Sequence, residues 1–181
     1  DVLLEILQMN ELKVTGCEYR LKVADVLGVI DMTLEDKNGH PVVFDFKWTT
    51  WTKGYQEILT KNRSIQLEYY RWMLQCDQKD EVKRVAYFIM PDAKLYSKEA
   101  FQGKNCIQFN PENDDYIVEQ LRQSILYRKE QIASGIIETN GVYEDLQYVK
   151  DTIEKGLFSL NKNDEGTKEG NFFTQYGLFN K

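Results

Sequence analysis

The sequence predicts one α/β domain in which a central sheet is flanked by helices. An amphipathic N-terminal segment is followed by alternating apolar and polar residues and then by a hairpin pattern. Two further segments with apolar residues at helical spacing enclose another strand pattern. The chain has 181 residues, of which 42% are hydrophobic and 29% are charged. This length and balance suit one globular domain with a substantial core.

The individual elements are predicted from periodicity and from breaker residues. Apolar residues at helical spacing predict helices over residues 1–11, 56–60, 65–76, 115–134 and 143–155. Strand patterns occupy residues 17–26, 28–47 (as a hairpin), 82–90 and, more briefly, 106–109. Ser64 is the expected N-cap of the helix that follows it. Pro91 ends the strand before it, because proline has no backbone N–H for a ladder.

The hairpin is the segment on which the functional interpretation depends, and its loop length sets its register. A two-residue turn at Asn38-Gly39 would mix apolar and polar side chains on both faces. A three-residue loop, Lys37-Asn38-Gly39, with Gly39 in the left-handed conformation, shifts the register by one residue. We prefer this second register because it collects six apolar side chains on one face. The predicted pairs are Ile30 with Phe46, Met32 with Phe44, and Leu34 with Val42.

The same register places acidic side chains together on the other face of the hairpin. Asp31 is predicted to lie opposite Asp45, with Lys47 two residues along on the same face. Like charges directly opposite each other destabilise a sheet, so a compensating group is expected. A divalent metal is the candidate, and carboxylate oxygens suit Mg²⁺ or Mn²⁺.

Composition limits the class of protein further. The formal net charge of −6 argues against non-specific coating of nucleic acid, although site carboxylates contribute to that count. No apolar run approaches the roughly 20 residues that a membrane span needs, and no secretory signal is visible. The chain begins without methionine, and we expect it to be a piece of a longer protein. These features predict a cytoplasmic protein that does not bind membranes.

Cysteine and histidine are too few and too scattered for most metal centres. Cys17, Cys76 and Cys106 are far apart, which predicts free thiols in a reducing compartment that act as small buried hydrophobes. An iron–sulfur cluster is not supported. The single histidine, His40, is expected to be a solvated residue of the hairpin turn.

Three short motifs resemble those of a known family. Gly28-Val29-Ile30-Asp31 is followed by Asp45-Phe46-Lys47 and then by Gln66-Leu67-Glu68-Tyr69-Tyr70. Together they resemble the G-x-x-D, D-x-K and Q-L-x-x-Y motifs of the PD-(D/E)XK nuclease superfamily, and in particular its RecB-like branch. The resemblance implies a restriction-endonuclease-like fold, which has a central mixed sheet flanked by helices.

The resemblance also implies roles for the residues at the end of the hairpin. Asp31 and Asp45 would hold the metal together with the backbone carbonyl of Phe46. Lys47 would position or activate the attacking water and stabilise charge on the phosphate. These roles agree with what the chemistry needs, because a carboxylate-bound metal acts as a Lewis acid and a fixed ammonium group stabilises developing negative charge.

Two further sets of residues follow from the resemblance. Gln66 and Tyr70, one turn apart on the predicted helix, would brace the site or contact the DNA strand. The family also has an acidic or histidine residue before the core. Its counterpart here is open between Glu18, Glu5, Glu11 and a residue preceding the chain, and Glu18 is the candidate metal ligand.

The residues after the hairpin leave alternatives open. Lys53, Lys61 and Arg63 either contact phosphates or are solvated loop residues. Trp48, Trp51 and Tyr55 either stack on unpaired bases or cover the junction between helix and sheet. The carboxylates themselves have a plainer interpretation, as solvent-facing strand residues that pair with Lys47.

The leading hypothesis is a metal-dependent deoxyribonuclease. We expect a DNA-binding, exonuclease-type module of a larger repair or recombination protein, with a helicase subunit or domain as its partner. The alternatives are an inactive nuclease-like module for DNA binding or protein docking, and a restriction-type or mobile-element endonuclease. Residues 1–160 would form the nuclease-like domain, and residues 161–181 a polar linker and an aromatic tail.

Overall fold

The computed structural model describes residues 1–24, 26–112 and 117–135. Residues Asp1–Ile117 form one compact unit, and α4 belongs to a second unit that starts at Val118. The helices are α1 (Val2–Met9), α2 (Thr52–Thr60), α3 (Ile65–Gln78) and α4 (Ile117–Ala133). The strands are β1 (Lys13–Val23), β2 (Val26–Glu35), β3 (Pro41–Lys47), β4 (Arg84–Ile89), β5 (Lys94–Ser97) and β6 (Cys106–Gln108).

The six strands form one mixed sheet in the order β1-β2-β3-β4-β5-β6. The pairs β3–β4 and β5–β6 are parallel, and the other neighbours are antiparallel. The parallel β3–β4 pair requires a crossover connection, which α2 and α3 supply. The predicted fold class, a mixed sheet flanked by helices, is confirmed.

Each face of the sheet has its own apolar core. One core contains side chains from α2 and α3, and the other contains side chains from α1. β3 contributes to both, because alternate side chains of a strand point to opposite faces. Its residues in the α3-side core and the α1-side core include Val43 and Val42, respectively. β3 is therefore the buried centre of the sheet, and its polar residues are held rigidly.

The three-residue hairpin loop is confirmed. Gly39 has φ +86°, a conformation that favours glycine, and its N–H donates to Asp36 O at 2.9 Å. Asp36 N–H in turn donates to His40 O at 3.0 Å, which closes the ladder around Lys37–Gly39. The predicted pairs of Met32 with Phe44 and of Leu34 with Val42 are both present.

The hairpin register fails at its open end. The described β2–β3 ladder stops at the Met32–Phe44 pair, and Ile30 packs in the α3-side core with Val43. The predicted pair of Ile30 with Phe46 is therefore wrong. The physical reason is that the carboxylate of Asp31 occupies the Phe46 N–H, so β2 no longer pairs with β3 through its backbone.

Several element boundaries differ from the sequence prediction. β1 begins at Lys13 and ends at Val23, because Ala24 has φ +51° and turns the chain. α2 begins at Thr52, earlier than predicted, and β5 was missed because its four residues are too few for a periodic pattern. Ser64 does lie at the N-cap of α3, but its hydroxyl makes no capping hydrogen bond.

The predicted burial of the cysteines is wrong. All three are free, but Cys17 and Cys76 are exposed and Cys106 is partly buried. His40 is half-buried rather than fully solvated, and it lies beside Asp36. In α4, Ile117 is buried whereas Leu126 and Ile132 are exposed.

Two sequence predictions concern residues outside the described ranges. These are the helix over 143–155 and the boundary at residue 160 with its tail over 161–181. Among the described helices, none has the length and apolar content to cross a bilayer.

Candidate active site

Asp45 is the centre of a polar cluster at the carboxyl end of β3. It is only 1% exposed, because β3 is covered on both faces. Its Oδ1 accepts a hydrogen bond from Gln66 Nε2 at 3.0 Å. Its Oδ2 makes no hydrogen bond of normal geometry within the described residues, and Lys47 Nζ, 2.6 Å away, balances its charge. The carboxylate is thus buried, charged and only partly satisfied.

Gln66 makes hydrogen bonds to three other side chains of the cluster. Its Oε1 accepts a hydrogen bond from Lys47 Nζ at 2.8 Å, and its Nε2 donates to Asp45 and, at 3.1 Å, to Tyr70 Oη. Gln66 and Tyr70 are one helical turn apart and share a face of α3, as the sequence indicates. The first turns of α3 therefore present an amide that can orient a carboxylate and an ammonium group at once.

Asp31 approaches the same strand end from β2. Its Oδ2 accepts the backbone N–H of Phe46 at 2.7 Å, which is a short charge-assisted hydrogen bond. Asp31 is therefore adjacent to Asp45 through the backbone of β3, although the two are not a paired position of the described ladder. The Phe46 carbonyl belongs to the same short segment between Asp45 and Lys47.

The cluster contains two nearby carboxylates, and one of them, Asp45, is paired with the Lys47 ammonium. Burial raises the pKa of the Asp45 carboxyl, and the charge of Asp31 raises it further, whereas Lys47 opposes the rise. Tyr87 lies opposite Asp45 in the β3–β4 ladder, and burial followed by the charge of Asp45 raises the pKa of its phenol. Tyr87 therefore stays neutral beneath the site.

Gly28 sets how closely α3 can approach β2. A Cβ atom at this position would lie 2.9 Å from Met73 Sδ and 3.4 Å from Tyr70 Cε1. The missing side chain thus provides the space into which α3 packs, and Tyr70 is one of the residues that fill it. The glycine of the first motif has a packing role that the sequence alone did not indicate.

Ion pairs fix the other side of α3. Arg71 Nη1 donates to Val82 O at 2.8 Å and its guanidinium also pairs with Glu99. Glu68 pairs with Lys98, with 2.6 Å between Oε1 and Nζ. All four charged side chains are at most one-quarter exposed, so these contacts are less screened than ordinary surface pairs. They hold the helix that carries Gln66 in place against β4 and β5.

The residues of this cluster fit a divalent metal by their chemistry. Two carboxylates and a backbone carbonyl are hard oxygen donors, which suit Mg²⁺ or Mn²⁺. The Oδ2 of Asp45 is buried with the Lys47 ammonium 2.6 Å away, which shows that this oxygen already faces a cation. Within the described ranges, however, no three Asp, Glu, His or Cys side chains gather into a metal-binding group.

The structure brings together the five predicted catalytic side chains and leaves the candidates for a further acidic ligand apart from them. Asp45, Lys47, Gln66 and Tyr70 are linked by direct contacts, and Asp31 joins them through Phe46. Glu18 is exposed on β1 with φ +51°, level with Asp31 between two ladder pairs, and it does not form a group with the two aspartates. Glu5 is exposed in the first turn of α1, and Glu11 is exposed between α1 and β1.

Of the three aromatic residues after β3, the structure places one at the helix–sheet junction and leaves two exposed. Tyr55 covers the helix–sheet junction, since its ring centroid is 4.9 Å from that of the buried Tyr87. Trp48 and Trp51 remain exposed. Sequence reasoning missed Tyr87, which lies under the Lys47 ammonium with 5.6 Å between Nζ and the ring centroid. Tyr87 lies near Asp45 and Lys47 only because β4 pairs with β3, and no local sequence pattern reveals that pairing.

Comparison with known proteins assigns the class. The family model of the PD-(D/E)XK nuclease superfamily matches residues 2–144, which is most of the chain. The chain therefore belongs to the PD-(D/E)XK nuclease superfamily. No curated protein sequence gives a significant match.

One similar solved structure is an XisH family protein from Nostoc punctiforme. It is 16% identical, with a TM-score of 0.34, and the alignment covers 49% of this chain and 65% of that one. The chain thus spans a little less than two thirds of that relative.

Proposed function

We propose that this chain is a metal-dependent DNA nuclease that hydrolyses phosphodiester bonds. The observation that supports the proposal most strongly is the contact of Asp45, Lys47 and Gln66 at the end of β3, with Asp31 held one strand away. A nearly fully buried carboxylate is costly unless its charge is paired, and here a second carboxylate lies nearby. Such an arrangement is typical of sites where charge is matched by a substrate or a cation.

The proposed metal ligands are Asp31, Asp45 and the backbone carbonyl of Phe46. Bound there, Mg²⁺ or Mn²⁺ would act as a Lewis acid on the phosphate and lower the pKa of a bound water. Phe46 N–H holds Asp31 in place, and Gln66 Nε2 orients Asp45 through Oδ1. Glu18 is the proposed additional acidic ligand, because it is level with Asp31 on the neighbouring strand.

Lys47 is the proposed catalytic cation. Its ammonium group is held by Asp45 and by Gln66 Oε1, so it is aimed before substrate arrives. A fixed positive charge at this point would stabilise the negative charge that develops on the phosphate as water attacks and the ester oxygen leaves. Gln66 and Tyr70 are proposed positioning residues, since they act through Lys47 and Asp45, with Tyr70 available to contact the DNA strand.

The wider context is also part of the proposal. The G-x-x-D, D-x-K and Q-L-x-x-Y motifs support a RecB-like nuclease. We therefore propose an exonuclease-type module of a larger DNA repair or recombination protein, with a helicase subunit or domain as its partner. Residues 1–160 would be the nuclease-like domain, followed by a linker and tail over 161–181.

The direct test is cleavage of linear single- and double-stranded DNA in Mg²⁺ or Mn²⁺. We expect Asp45→Asn and Lys47→Ala each to lower the rate about 100-fold or more, because each removes charge at the reacting phosphate. Asp80→Asn and Lys83→Ala are matched controls, since both residues are exposed and precede β4, at the opposite end of the β3–β4 pair from Lys47. Equal rates in all four variants would eliminate the proposal, and cleavage of closed circles would indicate an endonuclease.

One observation favours an alternative, a non-catalytic nuclease-like module for DNA binding or protein docking. Only two carboxylates of the described residues approach the cluster, and Lys47 already neutralises one of them. Titration calorimetry distinguishes the two functions. A nuclease site should bind Mn²⁺ in the wild type and lose that binding in Asp45→Asn, whereas the alternative predicts no binding that depends on this carboxylate.

A further inference from the structure

Two tryptophan rings are exposed immediately after the strand that carries the site. Trp48 follows Lys47 in the chain and is 81% exposed, and Trp51 is 60% exposed. Large aromatic side chains usually bury most of their surface, so two exposed indoles within four residues need an explanation. Their position directly after β3 places this exposed apolar surface close to the candidate site in the chain.

Trp51 is exposed but not free to swing. Its ring rests against the backbone of Gly54 in α2, because a Cβ at Gly54 would lie 2.1–2.2 Å from Cη2, Cζ2 and Cζ3 of the indole. A glycine inside a helix costs about 1 kcal/mol relative to alanine. Here the absence of a side chain at Gly54 leaves the space that the Trp51 indole occupies. Part of the ring therefore packs on the helix, and the rest is exposed to solvent.

A continuous series of contacts joins this ring to the site. The centroids of Trp51 and Tyr55 are 6.2 Å apart, and those of Tyr55 and Tyr87 are 4.9 Å apart, both in edge-to-face geometry. Lys47 Nζ lies 5.6 Å from the centroid of Tyr87. The position of Trp51 is therefore fixed relative to the Lys47 ammonium through packed aromatic side chains.

From this placement we infer that Trp51, together with Trp48, is a stacking platform for unpaired nucleotides of the substrate strand. The inference rests on the proposed nuclease function and names its substrate class as single-stranded nucleic acid. Bases in a duplex hide their faces in the stack, whereas unpaired bases can lie on an indole at about 1–3 kcal/mol per base. A net charge of −6 gives little general attraction for phosphates, so stacking would supply the affinity.

The test measures binding separately from cleavage. All variants carry Asp45→Asn, and the probe is fluorescein-labelled oligothymidylate of about 20 nucleotides, longer than the roughly 4–16 nucleotides that one groove covers. We expect Trp51→Ala to weaken binding by roughly 5- to 150-fold, which corresponds to the loss of about 1–3 kcal/mol from one stacked base. Binding of a blunt duplex of the same length should change less than about two-fold.

Gly54→Ala is the sharper variant, because it keeps every aromatic ring. The added methyl group would displace the Trp51 indole from its seat while favouring the helix, so oligothymidylate binding should weaken without loss of thermal stability. Trp72→Phe is the matched control, since Trp72 lies on α3 against Tyr69. It should bind as the parent does.

The outcomes separate the two proposals. Unchanged oligothymidylate affinity in both Trp51→Ala and Gly54→Ala overturns the platform, even if the wild-type chain cleaves DNA. The same result would leave the rings as a surface for a protein partner. Weakened binding in these variants, with no cleavage by the wild type, supports the platform and removes the nuclease.

Discussion

Asp45 is a residue that the folded protein holds in an unfavourable state. Burial raises the pKa of its carboxyl above the ordinary value of 3.8, and the charge of Asp31 adds to the rise. The native state therefore keeps a proton over a pH range in which the unfolded chain has released it. Stability from this group falls as the pH rises from 3.8 through the raised native value. Functional sites commonly carry such a cost.

We therefore expect Asp45→Asn to stabilise the protein at neutral pH. Asparagine keeps the shape and can still accept the hydrogen bond from Gln66, but it removes the buried charge. The gain should be roughly 0.5–2 kcal/mol, or about 2–4 °C in Tm for each kcal/mol at this length. Thermal unfolding followed by circular dichroism between pH 4 and pH 8 measures it, and the gain should shrink towards pH 4.

Asp36 provides the opposite case in the same experiment. Although burial works against it, hydrogen bonds from the backbone N–H groups of His40 and Asn38 lower the pKa of its carboxyl. Its contribution is therefore present at neutral pH and lost as the pH falls through the native value. Asp36→Ala should cost about 1 kcal/mol at pH 7. If both variants shift Tm in the same direction at pH 7, the assignment of Asp45 as a stability cost is wrong.

At the scale of elements, the site depends on how closely α3 lies against β2. Gly28 provides the space, and Met73 and Tyr70 fill it. The sequence indicated that Gln66 and Tyr70 share a face, because helical periodicity is local. The sequence could not indicate which strand this face of α3 packs against. The pairing of β3 with β4 and the packing of Met73 and Tyr70 on Gly28 both join residues that are far apart in the chain.

Gly28→Ala should therefore impair the site from a distance. The new methyl group would press on Met73 and Tyr70 and move the Gln66 turn, at a cost of roughly 1–3 kcal/mol in stability. We expect the rate of DNA cleavage to fall about 10- to 100-fold, as it does when residues that position catalytic groups are lost. Cleavage assays and chemical denaturation measure the two effects separately.

The second variant distinguishes displacement from simple unfolding. Met73→Ala in the Gly28→Ala background removes the side chain that the methyl group meets first. It should restore part of the cleavage rate while lowering stability further, because it leaves a cavity. Leu27→Ala, at an exposed neighbouring position, should change neither property. A parallel loss of rate and stability in the double variant would contradict the displacement.

At the scale of the whole molecule, the sequence predicts the local turns and helices but not the contacts that form when strands and helices pack together. The hairpin loop, the helix over most of α3 and the fold class follow from turn chemistry and periodicity. The predicted Ile30–Phe46 pair is wrong because the Asp31 carboxylate accepts the Phe46 N–H. An argument from hairpin register considers only backbone pairing and does not include such a side-chain contact. The burial of Cys17 fails because β1 is an edge strand, which the strand order alone reveals.

Metal binding should appear as stability of the whole molecule. Burial raises the pKa of Asp45 and the charge of Asp31 adds to the rise, and a cation between the two carboxylates would offset both effects. At a hundred times the dissociation constant, binding to the native state alone adds about 2.7 kcal/mol. Thermal unfolding with and without Mg²⁺ or Mn²⁺, and after addition of EDTA, tests this without any DNA.

We expect Tm to rise with metal in the wild type and to return after chelation. Asp45→Asn should lose the rise, whereas Asp80→Asn should keep it. A rise of equal size in both variants would mean that the cation binds elsewhere, and the proposed ligands would then be wrong.

The hydrogen bond between Asp31 and the Phe46 amide has one more consequence. Its proton lies against a carboxylate next to the proposed catalytic groups, so its NMR resonance senses the ionisation state of that carboxylate. Because Met90 N–H donates to Lys47 O just beyond it, the segment is anchored on β4 and the resonance should stay sharp. In an isotopically labelled sample, this amide therefore reports on the site in solution without a substrate analogue or an attached probe.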